Sequence, residues 1–319
     1  MLTAVALIIV GFVLLMVGAE YTVQGAVAIA NKLKIPTIII GLTIVALGTS
    51  APELVVSIKS ALSGAAGISL GNIIGSNIAN VFLILGAAAL IHPIKCRRRI
   101  FLRDYKFLFF VTTVFLLFAL SGKFVLWQGV ILLLILLGFI YYNYRNTSKS
   151  TVCEGSVSPM SQKAWYIVLA VTTVGLFGII YGADLLVKGA VDIAKILGVS
   201  DEIIGLTIIA VGTSLPELAT TVMAAIRKEN DVALGNILGS NIWNIVFIMG
   251  VTPVITEVSV PLQFMRYDLW VLLLSTILLL PVMMTRARID RNEGGLFVVL
   301  YGFYLFSQIM IAQGTWVFK

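Results

Sequence analysis

Long apolar runs alternate with short polar connections along most of the chain. The runs are bounded by charged residues, Gly, Pro or Asn. Most are close in length to the stretch of about 20 apolar residues that a helix needs to cross a bilayer. This pattern predicts ten helices, over residues 2–30, 37–60, 69–91, 104–121, 124–143, 164–195, 202–226, 232–255, 267–285 and 294–316. The first run lacks the positively charged start of a secretory signal, so it is interpreted as a membrane helix. The sequence therefore predicts an all-α membrane protein.

One connection is long and polar, and it divides the chain. Residues 143–163, NYRNTSKSTVCEGSVSPMSQK, have the Ser, Thr, Gly and Pro content that is typical of a flexible linker. The predicted organisation is a five-helix half over 1–142, a linker over 143–163 and a second five-helix half over 164–319.

The two halves are related in sequence. Moving the first half by 164 positions places 18–86 on 182–250 without a gap, and about half of the positions are identical. GLTIVALGTSAPEL (41–54) matches GLTIIAVGTSLPEL (205–218), and GNIIGSNIANVFLILG (71–86) matches GNILGSNIWNIVFIMG (235–250). An odd number of helices per copy reverses the second copy in the membrane, so the sequence predicts two inverted five-helix repeats.

Composition and charge support a membrane location. The chain is 60% hydrophobic and 12% charged, whereas roughly a quarter of the residues of a soluble domain are charged. The net charge of +7 does not indicate a nucleic-acid partner, because the basic residues cluster at segment ends, above all in the run 95–103. Such a run is typical of contact with anionic lipid and of an orientation signal. If the linker is cytoplasmic, most of the 22 Lys and Arg residues fall inside, and both termini are predicted outside.

Two glutamates, Glu53 and Glu217, interrupt otherwise apolar segments at equivalent positions of the two copies. A charged side chain at the centre of a membrane helix costs about 2.5–3.5 kcal/mol, so it faces the protein interior and has a partner. Neither segment has a Lys or Arg near its glutamate, and a bound cation would supply that partner. The alternatives are a protonated glutamate bonded to a neighbouring helix, or an ion pair with a distant basic residue.

The residues around each glutamate fit cation binding. Thr49 and Glu53 are four apart and share a helical face, and Pro52 has no N–H for the carbonyl of Gly48. Local unwinding would let carbonyls near Ala46 turn inward, which membrane proteins tolerate where the backbone lines a cavity. The second copy repeats the pattern at Ala210, Gly212, Thr213, Pro216 and Glu217. Carboxylate, hydroxyl and carbonyl oxygens are the ligands that calcium prefers.

The second motif supplies amides and hydroxyls. Polar side chains recur every four residues at Asn72, Ser76 and Asn80, and again at Asn236, Ser240 and Asn244. Small-residue packing with interhelical hydrogen bonds would explain the glycines of this motif, but six aligned polar side chains favour a site. A third matched acidic pair, Glu20 and Asp184, suits a structural or gating role as well as cation access, and it is left outside the predicted site.

No pattern in the chain indicates an enzyme. Cys96 and Cys153 show no metal-ligand spacing, and His92 is the single histidine. This composition excludes a zinc cluster and a Ser-His-Asp triad. The sequence therefore predicts neither catalytic residues nor a cofactor.

At these motifs the sequence resembles the calcium/cation antiporter superfamily, specifically the prokaryotic members of its sodium/calcium exchanger branch. The resemblance covers both signature repeats and the ten-helix layout, and it implies four clustered cation sites between broken helices 2, 3, 7 and 8, with helices 1 and 6 sliding to alternate access. The implied ligands are Ala46, Thr49, Ser50, Glu53, Ser76, Asn80, Ala210, Thr213, Ser214, Glu217, Ser240 and Asn244. Among them, the predicted metal ligands are Glu53, Glu217, Thr49 and Thr213.

The function expected from this resemblance is sodium/calcium antiport. Two glutamate charges are neutralised by one calcium ion or over-compensated by about three sodium ions, and exchange at that ratio is expected to be electrogenic. The amides at Asn80 and Asn244 argue against potassium co-transport, and G-T-S-x-P-E argues against protons as the main counter-ion. A proton/calcium antiporter stays open as the alternative, and a cation channel is a second rival. The partners expected are calcium, sodium and membrane lipid, and the protein is expected to function as a monomer.

Overall fold

The structure is a computed structural model that describes residues 1–146, 159–197 and 210–312. Helices make up most of it, with four short strands between them. The helices are α1 (Leu2–Leu33), α2 (Thr37–Thr49), α3 (Ala51–Leu62), α4 (Ala66–Ile91), α5 (Arg98–Ala119), α6 (Leu126–Asn146), α7 (Trp165–Ile196), α8 (Ala210–Gly212), α9 (Leu215–Ile226), α10 (Asn230–Ile255), α11 (Leu269–Arg286) and α12 (Arg291–Ala312). The strands are β1 (Ile94–Lys95), β2 (Lys123–Phe124), β3 (Val258–Ser259) and β4 (Arg288–Ile289).

Seven helices of the described residues are long and apolar enough to cross a membrane, or eight if α2 and α3 form one bent span. Helix α5 is outside this set because it carries Arg103, Asp104 and Lys106 among its apolar residues. Of the predicted span 202–226, residues 202–209 lie outside the described part of the chain. Large apolar side chains such as Phe12 and Phe177 are exposed on the helix surfaces, as expected for helices that face lipid.

Predicted spans 2 and 7 are interrupted, whereas spans 3 and 8 are not. The first interruption is at Ser50 (φ −83°, ψ 7°), and the second is at Thr213 and Ser214 (φ −88°, ψ 3° at Ser214). The prediction of broken helices 3 and 8 is wrong, because α4 and α10 are continuous and contain π-helical turns at Asn80–Leu85 and Asn244–Ile248. Their motif contains no proline, so a wider turn absorbs the irregularity without a break.

Three smaller features also differ from the prediction. Helix α5 begins at Arg98, so six of the nine residues of the basic run 95–103 are helical, because arginine is a good helix former. Helix α6 extends into the predicted linker and ends at Asn146. The all-α prediction omits two short antiparallel ladders, β1 with β4 and β2 with β3, because strands of two residues leave no periodic pattern.

The chain forms two compact units. Unit 1 comprises Met1–Glu53 and Tyr141–Ser240, and unit 2 comprises Leu54–Ile140 and Asn241–Lys319. Each unit draws on both halves of the sequence. The predicted division of the chain at the linker follows the sequence duplication, and this domain organisation stays a prediction.

Within unit 1, α1 and α7 pack backbone against backbone along a glycine seam. Glycines recur every seven residues on each helix, at 11, 18 and 25 and at 175, 182 and 189. A Cβ on Gly18 would lie 2.7 Å from the carbonyl oxygen of Gly175, and one on Gly182 would lie 2.6 Å from the amide nitrogen of Leu15. Only glycine allows so close an approach, which is common between membrane helices.

A second close approach in unit 1 positions the residues around the first glutamate. Helix α2 lies against the first part of α10, where a Cβ on Gly235 would be 2.6 Å from the carbonyl oxygen of Ile38. A Cβ on Gly239 would be 2.7 Å from the carbonyl oxygen of Leu42 and 2.6 Å from the Cβ of Ala46. These two glycines bring the polar face of α10 next to the end of α2.

Unit 2 contains both strand ladders. Ile94 and Lys95 pair with Ile289 and Arg288, and Lys123 and Phe124 pair with Ser259 and Val258. Backbone bonds extend each ladder, from Cys96 N to the oxygen of Ala287 (2.9 Å) and from Val260 N to the oxygen of Gly122 (2.9 Å). Each ladder therefore joins a strand of the first sequence half to a strand of the second.

Candidate cation-binding site

The interruptions in spans 2 and 7 place each glutamate in the first turn of a new helix. Glu53 lies in the first turn of α3, and Glu217 lies in the first turn of α9. Pro52 and Pro216 fit these positions because proline is tolerated in the first turn, where its missing N–H has no helical acceptor. A carboxylate at the amino-terminal end of a helix is also stabilised by the helix dipole. The motif thus ends one helix and starts the next with an acidic residue in place.

Glu217 is the centre of a hydrogen-bonded group in unit 1. Its side chain is fully buried, and its Oε1 accepts a hydrogen bond from the hydroxyl of Ser50 (2.9 Å) and a longer one from that of Ser240 (3.5 Å). Its Oε2 is buried and has no hydrogen-bond partner among the described residues. The ion pairs of the described residues do not include Glu217.

Glu53 and Thr49 belong to the same group. Glu53 is fully buried, and its carboxylate is close enough to that of Glu217 for the two charges to interact. Thr49, also fully buried, lies within reach of the Glu217 carboxylate. Two carboxylates in a buried space repel each other unless a cation or a proton lies between them.

The other predicted ligands divide between the units. Thr213 and Ser214 form the interruption that precedes α9 in unit 1, where Ser214 is buried, and Ala210 begins α8. The structure therefore brings Ser50, Glu217 and Ser240 together by direct hydrogen bonds. The remaining members, Ser76, Asn80 and Asn244, are buried in unit 2.

The carbonyl of Ala46 is not released from its helix as the sequence predicted. It accepts a hydrogen bond from the backbone N–H of Ser50 (3.0 Å) and one from the hydroxyl of Thr49 (3.3 Å). The interruption comes at Ser50 itself, after its N–H has already closed the last helical turn. The role of the Ala46 carbonyl as a ligand stays a prediction.

Asn236 is a member of the group that the predicted site did not include, although it belongs to the polar stripe of the second motif. Its Oδ1 accepts from Thr49 (3.3 Å), and its Nδ2 donates to Thr221 (2.9 Å). The equivalent Asn72 in unit 2 donates in the same way to Ser57 (3.0 Å). These two asparagines form hydrogen bonds to a neighbouring helix. The four-residue spacing in the sequence does not distinguish that structural role from a role as a cation ligand.

The third acidic pair lies outside this group. Glu20 forms an ion pair with Arg227 (2.7 Å from Nε to Oε2) and also accepts a hydrogen bond from Gln24. Asp184 pairs with Lys188 on the same helix (2.7 Å). Both carboxylates have basic partners, which favours the structural reading of this pair.

The chemistry of the group in unit 1 is that of a site for a hard cation. It offers carboxylate, hydroxyl and amide oxygens in a buried space, the ligand types that suit calcium and sodium. The described residues contain no group of three or more His, Cys, Asp or Glu side chains that could hold a metal ion. Because affinity for calcium rises with the number of charged ligands, two carboxylates favour a cation that is bound and released over one that is held permanently.

Comparisons with known proteins agree with this chemistry. The model of a family described as sodium/calcium exchanger protein matches residues 3–145 and 167–310. The sodium/calcium exchanger MaX1 of Methanosarcina acetivorans is 32% identical over 94% of this chain and 95% of its own length. The inner membrane protein YrbG of Escherichia coli is 34% identical over 87% of this chain and 88% of its own length.

The fold has a solved counterpart. A structure of the sodium-calcium exchanger NCX_Mj, soaked with Na⁺ and Ca²⁺, matches with a TM-score of 0.81 and 33% identity, covering 97% of each chain. The match extends over nearly the whole of both proteins. With its apolar helices, the chain is a multi-pass membrane protein, and it belongs to the sodium/calcium exchanger family.

Proposed function

We propose that the protein exchanges sodium for calcium across a membrane at the site that includes Glu53 and Glu217. The observation that carries the proposal is the buried Glu217 carboxylate, whose Oε1 is held by the hydroxyls of Ser50 and Ser240 while its Oε2 lacks a hydrogen-bond partner among the described residues. A buried charge of this kind is stable only with a counter-charge, and a cation supplies it. The protein is a transporter in this proposal, so it has neither catalytic residues nor a cofactor.

The proposed ligands follow the predicted set. Glu53, Glu217, Thr49 and Thr213 are proposed to ligate calcium, with Ser50, Ser214, Ser240 and the carbonyls of Ala46 and Ala210 as further oxygens for cations in unit 1. For Ser76, Asn80 and Asn244 of unit 2 the proposal rests on the motif and on their burial. The amides of Asn80 and Asn244 support potassium-independent exchange.

The exchange ratio follows from charge. Two glutamates are neutralised by one calcium ion, or over-compensated by about three sodium ions, and cations that share a low-dielectric site repel one another strongly. Mutual exclusion then couples the two fluxes. Movement of three sodium ions against one calcium ion transfers one net charge per cycle, so the exchange is electrogenic.

The proposed architecture is ten spans in two inverted five-helix repeats. Several contacts within unit 2 support it, because they recur in pairs under the 164-residue shift, with the partner strand displaced by one further residue. Strand β1 corresponds to β3, and the backbone bond from Cys96 corresponds to the bond from Val260. Such repeats provide alternating access by exchanging the conformations of their two halves.

The proposed orientation places both termini outside and the 143–163 loop in the cytoplasm, next to lipid, with the monomer as the functional form. Both cysteines, Cys96 and Cys153, then lie on the cytoplasmic side. A membrane-impermeant maleimide is expected to label them in inside-out vesicles and to leave them unmodified in intact cells. Labelling in intact cells would reverse the orientation, and single-cysteine variants separate the two positions.

The proposed function is tested by calcium-45 uptake into sodium-loaded proteoliposomes that are diluted into sodium-free buffer. Uptake is expected to require internal sodium and to continue in the presence of a proton uncoupler.

The membrane potential, set with potassium and valinomycin, tests the exchange ratio. When three sodium ions leave for each calcium ion that enters, one net positive charge moves outward per cycle. An inside-positive potential is therefore expected to accelerate calcium uptake, and an inside-negative potential is expected to slow it. Equal rates at both potentials would contradict the ratio of three sodium ions to one calcium ion.

Three other results would change the assignment. Calcium uptake that follows a pH gradient without sodium would favour a proton/calcium antiporter. Single-channel currents would favour a cation channel. An absence of calcium flux under either gradient would contradict calcium as the substrate and leave the family unchanged.

A further inference from the structure

Four asparagines form a buried cluster in unit 2, two on α4 and two on α10. They are Asn77, Asn80, Asn241 and Asn244, and each side chain is at most 1% exposed. The 164-residue shift pairs Asn77 with Asn241 and Asn80 with Asn244. Only Asn80 and Asn244 belong to the proposed ligands, so Asn77 and Asn241 have no role in the proposed function.

The hydrogen bonds of the cluster cross between the two helices. Asn80 Nδ2 donates to Asn241 Oδ1 (2.9 Å), and Asn244 Nδ2 donates to Asn77 Oδ1 (3.5 Å). Asn241 Nδ2 in turn donates to the backbone oxygen of Asn77 (3.4 Å). Each proposed ligand therefore gives its amide nitrogen to a non-ligand asparagine of the opposite helix.

These bonds determine which end of each amide is available. A side-chain amide has two N–H donors at one end and one acceptor oxygen at the other. With the nitrogen engaged, the oxygen points the other way, and Asn80 Oδ1 and Asn244 Oδ1 are both buried without a hydrogen-bond partner among the described residues. Buried acceptors are rarely left unsatisfied, so two of them at equivalent positions indicate that something else binds there.

We propose that Asn77 and Asn241 are positioning residues that hold Asn80 and Asn244 with their oxygens available to the transported cation. The inference rests on the proposed function. Without the acceptor on the opposite helix, the ligand amide can rotate by half a turn and present its N–H groups, which repel a cation. Asn241 has the larger effect because its bond from Asn80 is the shorter of the two.

The test is calcium-45 exchange by Asn241→Leu, which removes the acceptor at similar size. The KM for calcium is expected to rise about tenfold with a maximal rate within about twofold of wild type, since the ligand is misoriented and the moving parts are unchanged. Asn77→Leu is expected to raise KM by less. A KM within twofold of wild type for Asn241→Leu would overturn the inference.

A second background separates orientation from a general structural effect. In Asn80→Asp both terminal atoms are oxygens, so rotation of the group no longer matters. Adding Asn241→Leu to Asn80→Asp is therefore expected to change KM by less than about twofold, whereas an unchanged tenfold effect in that background would overturn the inference. If Asn241→Leu does not fold, Asn241→Ala takes its place in both backgrounds, because alanine has no side-chain acceptor.

The results that would overturn the proposed function differ from those that would overturn this inference alone. Wild-type protein that shows no sodium-dependent exchange would overturn the proposed function and this inference with it. Wild-type exchange with unaltered KM in the asparagine variants would overturn the inference alone.

Discussion

Glu217→Gln is expected to abolish sodium-dependent calcium uptake, with a loss of at least about a hundredfold in apparent calcium affinity. Glutamine keeps the shape of the side chain and an oxygen that accepts from Ser50, but it removes one of the two buried negative charges. Two unit charges about 4 Å apart attract by about 4 kcal/mol at an effective dielectric constant of about 20, and each 1.4 kcal/mol is about tenfold in affinity. Glu53→Gln is expected to behave in the same way. Both are measured as calcium-45 uptake into sodium-loaded proteoliposomes.

The matched control is Glu257→Gln, which removes an exposed carboxylate that pairs with Lys123 (3.2 Å). Exposed ion pairs contribute little, so this variant is expected to exchange at the wild-type rate. Thermal stability gives an independent readout. In cation-free buffer Glu217→Gln is expected to be at least as stable as wild type, because it removes a buried charge, and it is expected to lose the stabilisation that calcium confers. Normal uptake by Glu217→Gln would exclude this carboxylate as a required ligand.

Gly18→Ala is expected to destabilise the protein by about 3 kcal/mol or more. The added Cβ would lie 2.7 Å from both the carbonyl oxygen of Gly175 and the amide nitrogen of Ile179, so α1 and α7 must move apart along the glycine seam. Overpacking of this kind costs about 1–3 kcal/mol and sometimes more, and backbone atoms cannot rotate away as a side chain can. The measurement is the temperature at which half of the detergent-solubilised protein is lost from the monodisperse peak.

Gly138→Ala is the control for this substitution. Gly138 is an exposed glycine within α6, and a Cβ there would meet no atom within 4 Å. Alanine is favoured over glycine in a helix by about 0.8–1 kcal/mol, so Gly138→Ala is expected to leave the stability unchanged or raise it. The two substitutions are chemically identical and should act in opposite directions. Equal melting temperatures would mean that the seam is not under the steric constraint described.

The sequence predicted much of the site because the duplication marks it. Glu53 and Glu217 stood out as carboxylates in apolar segments, and the structure links Ser50, Glu217 and Ser240 by hydrogen bonds. Asn77 and Asn241 were not identified, although both copies contain Ser-Asn at these positions. The polar stripe has a four-residue spacing, and these asparagines lie one residue away from it.

Other features depend on tertiary contacts that a pattern of polar and apolar residues does not encode. One such feature is whether a helix is interrupted or forms a wider turn. Pro52 and Pro216 accompany interruptions, whereas the proline-free motif around Asn80 forms a π-helical turn. The glycine seam was present in the sequence as a seven-residue spacing, but its partner helix could not be read from one helix alone. The two-residue strands are too short to leave a periodic signal.

The two strand ladders have a consequence for the origin of the chain. Each ladder takes one strand from the first half and one from the second, so a polypeptide consisting of one half alone would leave both of its strands unpaired. Two copies of such a polypeptide would restore both ladders, because each copy would contribute one strand to each ladder. An ancestor with a single half would therefore be expected to form both ladders only by pairing with a second copy of itself, and gene fusion would have made that pairing permanent.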